Sequence, residues 1–372
     1  MIVSLCVRIC VECGYGSRKT VKVLEVLNEE FDLGLTEFFS YTSILNWVQK
    51  SGYHKYTETD FREYSEGYTV IIDESMMLGS EKLLLILGVP SAKTRDSSLT
   101  IEDVRVLDME VKTSWNSASI GEELSKVEKR MDSPPAYVIS DNASTISKAV
   151  RDKNYVHIRD VGHTIGLFLQ KTYEKDNSFQ TFMKEVTQVK FREIMRSAAY
   201  LLPPKQRTIA RFMNLSDTVD WAVAMLNSFD RMKEEDQRIF QFIPQNQMLI
   251  HELNSVFQTV NTILQRLKDE GLSKVSSEEC LSRLKTLSTS PNQRISSIGR
   301  LMTEYIETEY NKLSDKTKKW HISSDIIESI FGIYKGRKSP NKMNGVTKHV
   351  FILPHLSNIK NMKREDFKIR LE

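Results

Sequence analysis

The most constraining feature of the chain is an ordered run of strand and helix signals between residues 67 and 165. Tyr68-Thr-Val-Ile-Ile-Asp73 is β-branched and apolar, Lys82–Val89 is a second apolar run, and Val104–Lys112 is a third that partly alternates. A turn near Gly79-Ser80 and short links let these three pair as antiparallel neighbours. Asn116–Arg130 then carries Ile120, Leu124 and Val127 at helical spacing. Tyr137–Ser140 reads as a fourth strand, Ser144–Arg151 as a helix, Tyr155–Ile158 as a fifth strand, and a further helix begins near His163. The predicted order is β-β-β-α-β-α-β-α, an α/β arrangement around one mixed sheet.

Flanking this run, the pattern changes twice. Residues 166–320 read as an all-helical segment, with amphipathic stretches at Asp217–Met232, Gln247–Leu267 and Ile295–Leu313, punctuated by Pro203-Pro204, Pro244 and Pro291. Residues 321–372 return to mixed, basic sequence. Residues 1–56 predict two short helices. The first is capped by Ser17 and runs to about Phe31, where Gly34 breaks it; the second is Tyr41–Lys50, ended by Gly52. A tight connection between them would suit a helix-turn-helix. Ser43, Asn46, Gln49 and Lys50 would then point outward, with Arg18 and Lys19 near phosphates. A small helical cap without a ligand is the other reading.

Composition narrows the class. Fifty-two Lys and Arg against forty-nine Asp and Glu leave a formal charge of +3, too small to reveal a polyanion partner by itself. The longest apolar stretch, around Leu83–Pro90, is far short of the roughly 20 residues that a membrane span needs. Arg8 and Glu12 interrupt the apolar start, which argues against a secretory leader. Four cysteines do not make a disulfide framework. Cys10-x-x-Cys13, with Cys6 upstream, lacks the second ligand pair of a structural zinc site and reads as thiols buried on a short helix.

The predicted order is that of the ribonuclease H-like fold, in which the first and fourth strands lie side by side. Asp73 ends the first of these strands and Asp141 follows the fourth, so the two carboxylates would meet although 68 positions separate them. Two such groups repel, and a hard divalent cation with a preference for oxygen ligands relieves the repulsion. Glu328, in Ser323-Ser-Asp-Ile-Ile-Glu-Ser-Ile-Phe-Gly-Ile-Tyr-Lys335, is the candidate third carboxylate. The same stretch satisfies a capping box, Asp325-x-x-Glu328, and local sequence leaves both readings open.

Ile71-Ile-Asp-Glu-Ser75, Ile139-Ser-Asp-Asn142, Arg159-Asp-Val-Gly-His163 and Asp325-Ile-Ile-Glu-Ser-Ile-Phe331 together resemble the blocks of a DDE transposase. The likeness is to bacterial insertion-sequence and hAT-like enzymes that carry a large all-helical insertion before the last Glu, and it spans roughly residues 17–350. The resemblance implies that Asp73, Asp141 and Glu328 bind Mg²⁺ or Mn²⁺, as two ions, and that His163 lies by the active site with Asp160 fixing its tautomer. His157 reads as structural. The resemblance also implies DNA as the partner (element ends and target), a homodimer or higher assembly on DNA, no membrane, and a cytoplasmic, nucleoid-associated location.

Residues 335–372 hold ten Lys or Arg against three acids, so this segment alone carries +7. Lys335, Arg337, Lys338 and Lys342, directly after Glu328, suit a phosphate-tracking surface; beyond about Asn358 a solvated tail is the simpler reading. Trp115 and Trp221 read as structural, while Trp320 is open between a core position and a base-stacking one. Two rival readings remain: a transposase-derived DNA-binding protein that never cleaves, and a structure-selective nuclease of the same fold.

Overall fold

A computed structural model describes residues 2–57, 61–75, 77–91, 97–205, 212, 215–316, 318–338 and 345–357. The chain divides into two compact units, Met1–Ile158 with Ser324–Glu372, and Arg159–Ser323.

The first unit begins with three helices, α1 (Ile2–Val11), α2 (Ser17–Phe31) and α3 (Tyr41–Thr57). The strand-bearing stretch then gives β1 (Tyr68–Glu74), β2 (Lys82–Pro90), β3 (Arg105–Lys112), α4 (Ser117–Met131), β4 (Tyr137–Ser140), α5 (Ser144–Asp152) and β5 (His157–Arg159). They form a mixed five-stranded sheet of order β3-β2-β1-β4-β5. The short links give antiparallel pairs, with Ile71 opposite Leu87 and Leu85 opposite Met109. The helical connection through α4 brings β4 alongside β1 in parallel, with Ile71 opposite Ile139.

Side chains alternate across a strand, so Val70 and Ile72 share one face with Leu84, Ile86 and Val138. That face packs on Ile120, Leu124 and Val127 of α4 and on Ile146 and Val150 of α5. Each such buried side chain contributes roughly 1.5–3 kcal/mol relative to exposure. Ile71 and Asp73 therefore lie on the opposite face of β1.

Three local readings at the N-terminus need correction. Gly16, not Ser17, occupies the N-cap of α2, and no side chain caps it. The connection to α3 is not tight: it spans residues 32–40, against the usual turn of about 3–4 residues in a helix-turn-helix. Asn28 folds it back by bonding the Leu35 backbone through both its Oδ1 and Nδ2. Gly52 does not end α3 but lies buried inside it, where a Cβ would stand 1.8 Å from the Phe351 carbonyl oxygen. These three helices belong to the same compact unit as the sheet.

The described residues of the second unit are mainly helical: α6 (Val161–Tyr173), α7 (Asn177–Glu193), α8 (Ser216–Ser228), α9 (Glu234–Ile239), α10 (Phe242–Gln245), α11 (Gln247–Glu270), α12 (Lys274–Ser288) and α13 (Gln293–Lys312). Asp160, Asp176, Ser273 and Asn292 cap four of them with side-chain oxygens. Glu252, 8 % exposed, accepts from Arg294 Nε and Nη2 at 2.7 Å each and from the Tyr173 hydroxyl at 3.0 Å. The unit's two ends are tied together, since the Val161 N–H donates to the Ile322 carbonyl oxygen at 3.0 Å. Trp320 is anchored here too, through a backbone pair with Leu272 and an indole N–H donated to the Asp315 carbonyl oxygen (2.6 Å). Trp115 and Trp221 likewise donate to backbone carbonyls, of Lys82 and Leu201.

The chain then returns to the first unit as α14 (Asp325–Arg337), a 3-10 turn at Lys348–Ile352 and α15 (Leu353–Leu356). α14 packs on β1, and the 3-10 turn and α15 pack on α3. No helix among the described residues is long and apolar enough to cross a membrane.

Candidate functional site

Because Ile71 and Ile139 are register partners on parallel strands, Asp73 and Asp141 stand two residues beyond one level of the sheet. Asp73 is still within β1, opposite Leu85 of β2. Asp141 has just left β4, and its Oδ1 accepts the Ala143 N–H at 2.9 Å, holding the turn into α5. Both carboxylates are half-buried.

Glu328 lies in the first turn of α14 and is exposed. The N-cap of this helix is Ser324, one residue before Asp325, and it makes no side-chain cap hydrogen bond. Two turns further, the half-buried ammonium of Lys335 sits 5.5 Å from the centre of the Phe331 ring. Burial pushes its pKa below the usual lysine value, while the charges of Asp73 and Glu328 push it back up and Lys338 opposes them. A single cation thus feels both carboxylates. Among the described residues, no three His, Cys, Asp or Glu side chains gather closely enough to hold a metal ion.

In the second unit, Asp160 is fully buried at the N-cap of α6. Its Oδ1 accepts the His163 N–H at 2.6 Å and lies 3.0 Å from His163 Nδ1. The carboxylate thereby orients a ring that is 30 % exposed. In the first unit, His157 Nε2 bonds the Ser140 hydroxyl at 2.8 Å, linking β5 to β4.

The residues read as DNA contacts divide. Lys19, Asn46 and Lys50 are exposed; Arg18 is exposed and lies over the Tyr41 ring at 4.7 Å. Gln49 is half-buried, and Ser43 bonds Ser40 at the start of α3. Lys335 lies over the Phe331 ring and feels the charges of Asp73 and Glu328, and Lys338 is half-buried. One arm of Arg337 is committed to structure: its Nη1 donates to the Val11 carbonyl oxygen at 2.9 Å, closing the end of α1. Lys342 and residues 358–372 lie outside the described residues. Cys6 and Cys10 are buried thiols on α1, Cys6 being pushed up to about 12 by burial, and Cys13 is exposed.

Sequence reasoning missed the strap from Arg337 to α1 and the packing of Gly52 on Phe351. Their partners lie about three hundred positions away, and no local spacing announces either. A scan of protein-family models finds none that matches the chain, and a search of the curated proteins finds none with significant similarity.

Proposed function

We propose that the protein is a DNA transposase with a ribonuclease H-like catalytic core, acting on the ends of a mobile element. The observation that carries this reading is the parallel register of β1 with β4, which sends Asp73 and Asp141 off adjacent strands at one level. Three further features support it: the sheet order, the long helical unit between Asp141 and Glu328, and the ammonium of Lys335 in the field of Asp73 and Glu328.

The donor set suits a hard cation, being three carboxylates with no sulfur, and Asp73, Asp141 and Glu328 are the residues that would hold Mg²⁺ or Mn²⁺. Two such ions, when bound, activate the attacking oxygen and stabilise the leaving one. Asp73 and Asp141 would concentrate negative charge at the ends of β1 and β4, and the ammonium of Lys335 feels the charge of Asp73. His163, its Nδ1 held by Asp160, would orient a phosphate through Nε2. The reaction begins with water breaking a phosphodiester and freeing a 3′-hydroxyl. That hydroxyl then forms a new phosphodiester with target DNA while one target bond breaks, so the bond count is conserved. Two element ends must be processed together, which calls for a dimer or larger assembly on DNA.

Strand cleavage and joining by Asp73→Asn, Asp141→Asn and Glu328→Gln test the reading. Product formation should fall by about 10²–10³-fold in each; a variant that still cleaves at the wild-type rate removes its residue from the mechanism. One observation favours a second reading, a transposase-derived protein that binds DNA without cutting it: no three ligating side chains gather among the described residues. DNA binding with no Mg²⁺- or Mn²⁺-dependent product would select it. Hydrolysis without joining would instead favour a structure-selective nuclease.

A further inference from the structure

Arg337 poses an electrostatic problem that the fold solves only in part. Its guanidinium is half-buried and spends Nη1 on α1, and no carboxylate pairs with it among the described residues. An unpaired cation taken out of water is costly unless an anion meets it. Nη2 lies beside Gly14, 3.5 Å from where a Cβ would stand.

The guanidinium lines a cavity of about 200 Å³ together with Gly14, Gly16, Ser17, Gly336 and His349. No acidic side chain is among the described residues that line it. Two other groups there lack partners for a hydrogen bond. The first turn of α2 starts at Gly16 with no side-chain acceptor for its N–H groups. The His349 Nε2 is buried and has no hydrogen-bond partner. The buried side chains of Val48 and Ile352 supply an apolar wall, which strengthens any charge interaction inside. The cavity falls below the roughly 300–1,000 Å³ of pockets for whole small molecules, which suits an anionic group.

We propose that this cavity binds a phosphate-class anion between Arg337, the first turn of α2 and His349. The anion is either free phosphate or the phosphoryl group of a larger molecule. The inference stands apart from the transposase reading, since it needs neither the acidic residues nor a metal.

The test uses the full chain and inorganic phosphate, with chloride at matched ionic strength as the control, and reads binding by calorimetry and by the shift in unfolding temperature. Arg337→Gln removes the cation, but it also loosens α1. Gly16→Asp avoids that difficulty. The backbone at Gly16 (φ −68°, ψ 155°) accepts any residue, and a Cβ there meets nothing within 4 Å. Asp is a favoured N-cap, so this variant holds α2 in place while setting a carboxylate against the incoming anion. The wild type should bind phosphate, and Gly16→Asp should bind it at least about tenfold more weakly with no fall in its phosphate-free unfolding temperature. Absence of phosphate binding by the wild type, or equal binding by folded Gly16→Asp, overturns the proposal. An oligonucleotide duplex distinguishes the sources. If duplex binding falls in parallel, the group is a backbone phosphate; if it is unchanged while phosphate binding is lost, the ligand is free phosphate or a small monoester.

Discussion

Replacing Gly52 with Ala sets helix propensity against packing, and the two predict opposite signs. In an unobstructed helix interior the change stabilises by about 1 kcal/mol. At Gly52 the new methyl would stand 1.8 Å from the Phe351 oxygen and 2.8 Å from its carbonyl carbon. Both are backbone atoms, so no rotamer change relieves the clash, and the 3-10 turn must move off α3. That movement also pulls on the bond between the Ser51 hydroxyl and His355 Nε2 (2.9 Å), both groups being fully buried. Overpacking of this kind costs up to about 3 kcal/mol or more, so the net effect is a loss of about 2 kcal/mol. Gly121 is the control, since it lies within α4 and a Cβ there meets nothing within 4 Å. Gly121→Ala should therefore gain about 1 kcal/mol. With two units in the chain, global unfolding need not be two-state, so hydrogen exchange at the amides of α3 and Lys348–Leu356 is the suitable assay. Protection should fall in both segments for Gly52→Ala. Equal or greater protection would refute the packing of α3 on the C-terminal turn, and with it the placement of Gly52.

Other perturbations address the charges. Glu252→Ala strips Arg294 and Tyr173 of a nearly buried partner and should cost about 3 kcal/mol, read by denaturant unfolding of the helical unit. Burial, and then the charge of Arg337, hold His349 below the usual histidine pKa. The unfolded chain therefore binds more protons than the native one around that usual value, so stability should fall as pH drops through it and on to the depressed native pKa. His349→Leu should flatten that slope in plots of unfolding temperature against pH. Lys335→Met leaves Asp73 and Glu328 without their shared cation, and their carboxyl resonances should titrate at higher pH than in the wild type.

Much of the fold could be read from the chain because its signals are local. Tyr137–Ser140 is a strand at the expected limits, and β1, β2 and β3 differ from expectation by only a residue at an end. The sequence put Asp73 at the end of the first strand, and the β-β-β-α-β order put β1 beside β4. What stayed hidden depends on distant partners. Gly52 resembles a helix stop in sequence, yet here its missing side chain admits a backbone from three hundred positions away. Arg337 looks like one more basic residue after Glu328, and only the fold reveals that the end of α1 claims it. That Lys335 feels the charges of Asp73 and Glu328 was equally hidden, since a lysine in a basic segment gives no hint of which charges it meets.

The hydrogen bond from Val161 to Ile322 clasps the two ends of the helical unit together, so that the chain between them is a closed loop. A loop held that way can be long without much penalty, because closure entropy grows only with the logarithm of its length. Evolution is accordingly free to lengthen, shorten or exchange what lies beyond the clasp. During synthesis, however, the sheet must wait for the entire loop to be made before α14 arrives to cover β1.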